Sequence, residues 1–558
     1  MRASLCIRTA LAAMVTLAQG AVAAPTAHFF EVTYAAQPEA EPAPDDYRNP
    51  VLPGFHPDPS IVKVGRDFYL VTSTFGWWPG LPVFHSTDLI HWKLIGHAID
   101  RPGEMNFAGL NVATDGLYAP AISYRAGTFY IFNTCTRCGG NFYVTAKDPA
   151  GPWSDPVWLD FEGIDPSLFV DQDGRGWVVN NGAPPEPPRY EGHRAIWLQQ
   201  FDFASGKLTG PRTVLVDGGV HPEDKPIWAE GPHLYKAGGW YYLMAAEGGT
   251  AENHSETIYR SRKVEGPYVA GPVNPILTQR DLPKDRPNRV EATGHADLVH
   301  LDDGSWWGIF LATRPFRDQL TLLGRETWLL PVRWEDGWPR FLDPGEAAPF
   351  EAKKPALPPS AGTEWAQWTE RFDAPVLSGE WLRMRGGGPD QWFALDRDHG
   401  GLDLVAGADP AGSKGYPSFL GRRLRHPSAT LSATFSFAAA HSGDFAGLMA
   451  FASEHSFLAV GIERDADGKA RVVARRRASE RESPYGVPLA EGEALTSSTV
   501  EVRISIAEGT ADLAWRPAVG GKWRTLTAGI DIAPLASVNS GLFTGVLVGP
   551  YAVAGGGG

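Results

Sequence analysis

Residues 165–181 read DPSLFVDQDGRGWVVNN. A short apolar run meets a turn built on Asp and Gly, and a Trp-led apolar run returns from it, which is the pattern of a β-hairpin. The same figure recurs along the chain. It starts at Asp58 as DPSIVKVGRDFYLVTST, at Ala119 as APAISYRAGTFYIFNT, at Gly231 as GPHLYKAGGWYYLMAA and at His295 as HADLVHLDDGSWWGIFLA. Successive starts lie 46 to 66 residues apart, room for a four-stranded sheet and its loops. Hairpin-centred repeats with no helical periodicity between them predict a β-propeller, and five copies predict five blades. A long β-sandwich with chance likeness between hairpins is the weaker reading, because turn and aromatic strand recur together.

The repeats place the propeller at residues 49–342. Beyond it, DPGEAAPFEAKKPALPPSAGTE carries the composition of a linker, residues 343–364. From residue 365 to 555 the texture becomes simple alternation, as in ATLSATFSF (429–437) and STVEVRISI (498–506), so the second domain is predicted as a β-sandwich. The whole chain is therefore all-β. Ahead of the propeller, residues 24–48 are rich in Ala, Pro and Glu and are expected to form a flexible lead-in.

Residues 1–23 read as an export signal: Arg2 and Arg8, then a small apolar stretch, then Ala-Val-Ala before the cut. The stretch is well short of the ~20 residues a membrane span needs. The expected location is periplasmic or extracellular. With a net charge of −14 and no long basic run, nucleic acid and anionic membranes are poor partners, and a neutral substrate fits better. Aromatic residues make up 11 % of the chain, which suits β-rich cores and also the stacking of sugar rings. Cys135 and Cys138 form a CxxC. A zinc site would need two more ligands and a thioredoxin-like site a following helix, so a local disulfide or two idle thiols is the expectation.

In a propeller the first strand of every blade converges on one axis. The matching repeat positions hold Asp58, Ala119, Asp165, Gly231 and His295, with Glu230 one place before Gly231. Three carboxylates and a histidine are thus expected to meet at one point. Crowded like charges are costly and raise at least one pKa. A glycosidase needs this arrangement, one carboxyl protonated to serve the leaving oxygen and another ionised to activate water or attack. Asp58 and Asp165 could each cap a local DPS turn, but that reading does not account for two in matching repeats with a Glu in a third.

The motifs NPVLPGFHPDPS (49–60), TSTFGWWPG (72–80), HSTDLIHW (85–92), GIDPSLFVDQDG (163–174), AEGPHLYK (229–236), AEGGT (246–250), GHADLV (294–299) and LGRETWLLPVRWEDGWP (323–339) resemble glycoside hydrolase family 43. The likeness is greatest to its β-xylosidase and α-L-arabinofuranosidase members with a C-terminal, concanavalin-like sandwich, and extends to SFLGRRLRH (418–426) and GLFTGVLVGPYA (541–552). It implies an inverting exo-glycosidase acting on xylo- or arabino-oligosaccharides from hemicellulose. The alternatives are an endo-arabinanase and a non-catalytic sugar-binding propeller. The resemblance makes Asp58 the general base, Glu230 the general acid and Asp165 the carboxylate that orients the acid and holds its pKa up. It makes Phe75 an aromatic wall of the sugar pocket and Arg325 a ligand of sugar hydroxyls. His295 becomes an axial histidine that in some members helps hold a calcium ion or water beneath the sugar. No cofactor is required, and a structural calcium on the axis, held by His295 through water, is left open. Tyr118 stands where the family often has Trp, at the pocket border, and the segment between Arg314 and Arg325 is short. Trp77 and Trp78 either line the pocket or pack. For the sandwich, the resemblance favours a brace or a lid over a separate sugar-binding module.

Overall fold

Each blade of the propeller is an antiparallel sheet with a neighbouring blade packed on either face, so its strands are buried on both sides. In a computed structural model, which describes residues 24–37, 40–363, 365–388, 391–507, 509–517 and 520–555, Asp67–Val71 alternates only over its first residues, and Gly80–Ser86 and Gly176–Gly182 are buried almost throughout. Five such sheets form. They begin on the inner strands Ser60–Val64, Ala121–Arg125, Ile164–Val170, Glu230–Ala237 and Glu291–His300, and each runs outward through further antiparallel strands.

The blades face one another through five separate apolar clusters, one between each neighbouring pair. Leu81 and Val83 of blade 1 meet Ile131 and Val144 of blade 2. Phe132 meets Val178 and Phe201; Val179 and Leu198 meet Leu243; Met244 and Ile258 meet Phe310 and Trp328. Phe68 and Leu70 of blade 1 meet Ile309 and Leu329 of blade 5, which closes the ring. Buried polar contacts stitch the inner strands together. The Asp297 carboxylate of blade 5 accepts from Ser60 Oγ (2.7 Å) and the Ile61 amide (2.9 Å) of blade 1, and from Tyr235 of blade 4 (2.6 Å). The short strands Asp46–Arg48 and Glu351–Lys353 pair with each other across the propeller's two ends, so part of the expected linker is a strand.

The second domain is a sandwich of an eight-stranded and a seven-stranded sheet around one core. Ala429–Phe437 alternates buried and half-exposed residues along its whole length, as its sequence requires. One expectation is corrected here. Within the presumed lead-in, Thr26–Ala36 is a strand of the larger sheet, paired with Ala429–Phe437 on one side and with Leu402–Val405 and Gln367–Glu370 on the other. Its residues Phe29, Val32 and Tyr34 are buried in the sandwich core. The export signal expected at residues 1–23 lies outside the described residues.

The two domains meet through a further apolar cluster. Trp77 and Trp78 are buried and their strand pairs with Arg383–Met384, so Trp77 and Trp78 pack rather than line the pocket. Cys135 and Cys138 form a disulfide across the turn of the second blade's hairpin.

Candidate active site

Asp58, Asp165, Gly231 and His295 share one backbone conformation. Their φ angles are 54°, 55°, 56° and 50°, the left-handed region that ordinary residues avoid. At three of these positions the ladder to the next strand slips, between Ile164 and Ser167, Glu230 and His233, and Gly294 and Asp297. The same bulge therefore opens successive inner strands and turns the side chain toward the axis. In blade 4 the position must be glycine. A Cβ on Gly231 would lie 2.7 Å from Nε2 of His295, so that blade presents its carboxyl from Glu230, one residue earlier.

The three carboxylates occupy different surroundings. Asp58 is buried; its Oδ1 accepts from Arg325 Nη1 at 2.7 Å and its Oδ2 from the Ser73 hydroxyl. Asp165 accepts the Gly231 amide at 3.1 Å, and its pKa is raised to about 7, first by burial and then by the charge of Asp58. Glu230 is pushed well above the usual carboxylate range by burial and by the charges of Asp165 and Asp58, against opposing pulls from Arg325 and Arg194. The His295 Nδ1 lies 3.7 Å from Asp58 Oδ1, too far for a hydrogen bond. Burial drives that ring's pKa down to about 3, so it is neutral.

All seven residues expected at the site line one cavity of about 520 Å³: Asp58, Asp165, Glu230, Phe75, Tyr118, His295 and Arg325. Tyr118 donates its hydroxyl to the Thr114 carbonyl at 2.6 Å, which leaves its ring to form wall. Residues the sequence reading did not single out complete the enclosure. Phe543, from the sandwich, stacks on Phe75 with centroids 5.5 Å apart and planes 6° apart, and meets Tyr118 edge-on at 5.8 Å. Its carbonyl accepts from Arg325 Nη2 at 3.4 Å. Leu542, Ile227, Trp228 and Asn253 also line the cavity. The GLFTG segment holding Phe543 belonged to the family motifs, yet nothing local in it pointed to the propeller. A larger cleft of about 900 Å³ lies between the blade 5 loops and the sandwich, but its arginines and lysine are largely matched by carboxylates, as in Lys284–Glu252, Arg289–Glu291 and Arg317–Asp531.

A five-bladed propeller with buried carboxylates on its axis and a sandwich closing one side defines a class of sugar-cleaving enzyme. The model of glycosyl hydrolases family 43 matches residues 47–339, and that of the beta xylosidase C-terminal concanavalin A-like domain matches residues 369–558. The chain belongs to family 43 and is an exo-acting glycoside hydrolase of the xylosidase and arabinofuranosidase kind. It is 42 % identical to a non-reducing end alpha-L-arabinofuranosidase of Bacteroides ovatus over 73 % of this chain and 74 % of that one. It is 36 % identical to a xylosidase/arabinosidase of Butyrivibrio fibrisolvens over 91 % of this chain and 96 % of that one. The crystal structure of a xylan beta-1,4-xylosidase from Bacillus halodurans is similar with a TM-score of 0.83 at 32 % identity, covering 91 % of this chain and 96 % of that one.

Proposed function

We propose that the enzyme removes a terminal β-D-xylosyl or α-L-arabinofuranosyl residue from hemicellulose-derived oligosaccharides, with Asp58 as general base, Glu230 as general acid and Asp165 positioning the acid and sustaining its pKa. One observation carries the assignment: three carboxyls share one cavity, yet only Asp58 is held by a guanidinium and a hydroxyl, while Asp165 and Glu230 are pushed toward their protonated forms. In the reaction Asp58 takes a proton from water as the water oxygen bonds to the anomeric carbon. The glycosidic bond breaks on the opposite face, and Glu230 gives its proton to the leaving oxygen. The displacement inverts the anomeric centre and needs room for that water, a carboxyl separation of about 6.5–9.5 Å in inverting enzymes. The enclosing walls of Phe75, Tyr118 and Phe543 favour a single terminal sugar over a chain passing through.

The test is hydrolysis of aryl β-xyloside and aryl α-L-arabinofuranoside, with NMR of the first-formed sugar. Release of the opposite anomer is expected. Retention would make Asp58 a nucleophile, and cleavage of neither substrate would overturn the sugar assignment.

A calcium ion on the axis would have to be held largely through water. Ca²⁺ prefers oxygen ligands, His295 offers nitrogen, and no group of three or more His, Cys, Asp or Glu among the described residues is arranged as a metal cage. Export through residues 1–23 belongs to the same proposal, and the Cys135–Cys138 disulfide suits an oxidising compartment. The secreted protein should have the intact mass of a chain beginning at or near Ala24.

A further inference from the structure

A general acid stands on the side of the scissile bond where the leaving group departs, so the surface around Glu230 is where the rest of the substrate must lie. Two residues before Glu230, Trp228 lines the cavity yet stays 39 % exposed, at its mouth, where Phe75 in the inner wall is buried. Its position is fixed rather than loose. The backbone is left-handed, with φ 54°, and its amide donates to the Gly192 carbonyl at 2.9 Å. The next carbonyl, of Ala229, accepts from Asn181 Nδ2 at 2.7 Å. The guanidinium of Arg194 sits 5.3 Å from the centre of the indole ring. Arg194 is itself clamped by Asn181 Oδ1 at 2.8 and 3.0 Å and by Glu162 Oε1 at 3.1 Å. A left-handed non-glycine backbone costs on the order of 1–3 kcal/mol, and here it holds a large, exposed ring beside the Glu230 carboxyl, where such strain commonly marks a functional position.

We propose that Trp228, backed by Arg194, is the platform for the leaving-group sugar: a neutral pyranose of the oligosaccharide stacks on its open indole face while Glu230 protonates the oxygen joining it to the terminal sugar. The proposal rests on Glu230 being the general acid. Arg194 acts through Trp228, as a positioning residue, and its charge also reaches Glu230.

The experiment compares two leaving groups on the same terminal sugar: methanol, from the methyl glycoside, and a xylose unit, from the corresponding disaccharide. For Trp228→Ala, kcat/KM should fall roughly ten-fold further on the disaccharide than on the methyl glycoside, through KM more than kcat, the size expected of one lost aromatic contact. Trp228→Phe should recover most of that difference. Arg194→Ala should show the same selectivity in weaker form and should also move the alkaline limb of the pH profile. Equal losses on both substrates would mean that Trp228 merely shapes the pocket, and no loss on either would overturn the platform outright. A disaccharide rate that Glu230→Gln leaves at the wild-type value would overturn the acid assignment and the platform with it.

Discussion

Arg325 has two partners to serve, the pocket and a buried carboxylate. It faces the sugar pocket, and it is the cation that pairs with buried Asp58 at 2.7 Å. A ligand of sugar hydroxyls alone would matter for binding only; the pairing with Asp58 gives Arg325 a structural role as well. Both side chains are less than a tenth exposed, and removing one partner of a buried pair strands the other charge at a cost of about 3–5 kcal/mol. Arg325→Ala should therefore lose stability as well as sugar affinity, and denaturant unfolding would show it; a variant as stable as wild type would mean that Asp58 is rescued by water. Asp165 is the next residue to test. Its charge is the largest cause after burial of the rise in Glu230's pKa. A negative neighbour favours the protonated acid, so Asp165→Asn should lower Glu230's pKa and move the alkaline limb of kcat/KM to lower pH. Because Asp165 is itself raised to about 7, its charge is fully present only above that pH, and the shift should be clearest on profiles measured there.

The bulge that opens the inner strands of blades 3, 4 and 5 is what converts a repeat into a site. Gly231→Ala tests it. The added Cβ meets the His295 ring at 2.7 Å in a backbone region costing about 1–2 kcal/mol for any residue with a Cβ. The ring has little freedom, being buried beside Asp58. The propeller should survive while Glu230 is displaced, and a misplacement near 1 Å costs on the order of 100-fold in kcat. Melting and kcat measured together separate this from global damage. The five hairpins were legible because turn and aromatic strand repeat locally, and the axial carboxylates because equal positions in equal repeats must converge. Thr26–Ala36 was not legible. Its alternating HFFEVTY is strand-like, but the Ala/Pro/Glu composition around it dominated, and its partners Leu402–Val405 and Ala429–Phe437 lie hundreds of residues away. Non-local pairing leaves no mark in the segment itself. Phe543 and Trp228 were missed for a related reason, since pocket walls built across domains or on irregular backbone carry no period.

For the whole molecule, the sandwich is both brace and wall. Arg423 donates to the Phe55 carbonyl at 2.7 Å and Arg425 to the Pro53 carbonyl at 3.1 Å, fixing the segment that leads into Asp58, while Phe543 closes the pocket. That rigidity lets the protein hold a site that works against its own stability. Glu230's pKa is raised on folding, whereas in the unfolded chain it is near 4.3. Below pH ~4.3 the group is protonated in both states and costs nothing. As pH rises above that value the unfolded state gains by ionising while the native state does not, so native stability from this group is lost progressively until the folded pKa is passed. Glu230→Gln removes the proton exchange altogether. It should therefore melt higher than wild type, with the gain larger at pH 8 than at pH 4.5, while losing most activity toward glycosides with poor leaving groups and less toward activated aryl glycosides. Thermal unfolding at the two pH values reads the difference directly. A gain that is the same at both would mean that Glu230 ionises as easily in the folded protein as in the unfolded one, and the crowding of three carboxyls on the axis would then not be what keeps the acid protonated.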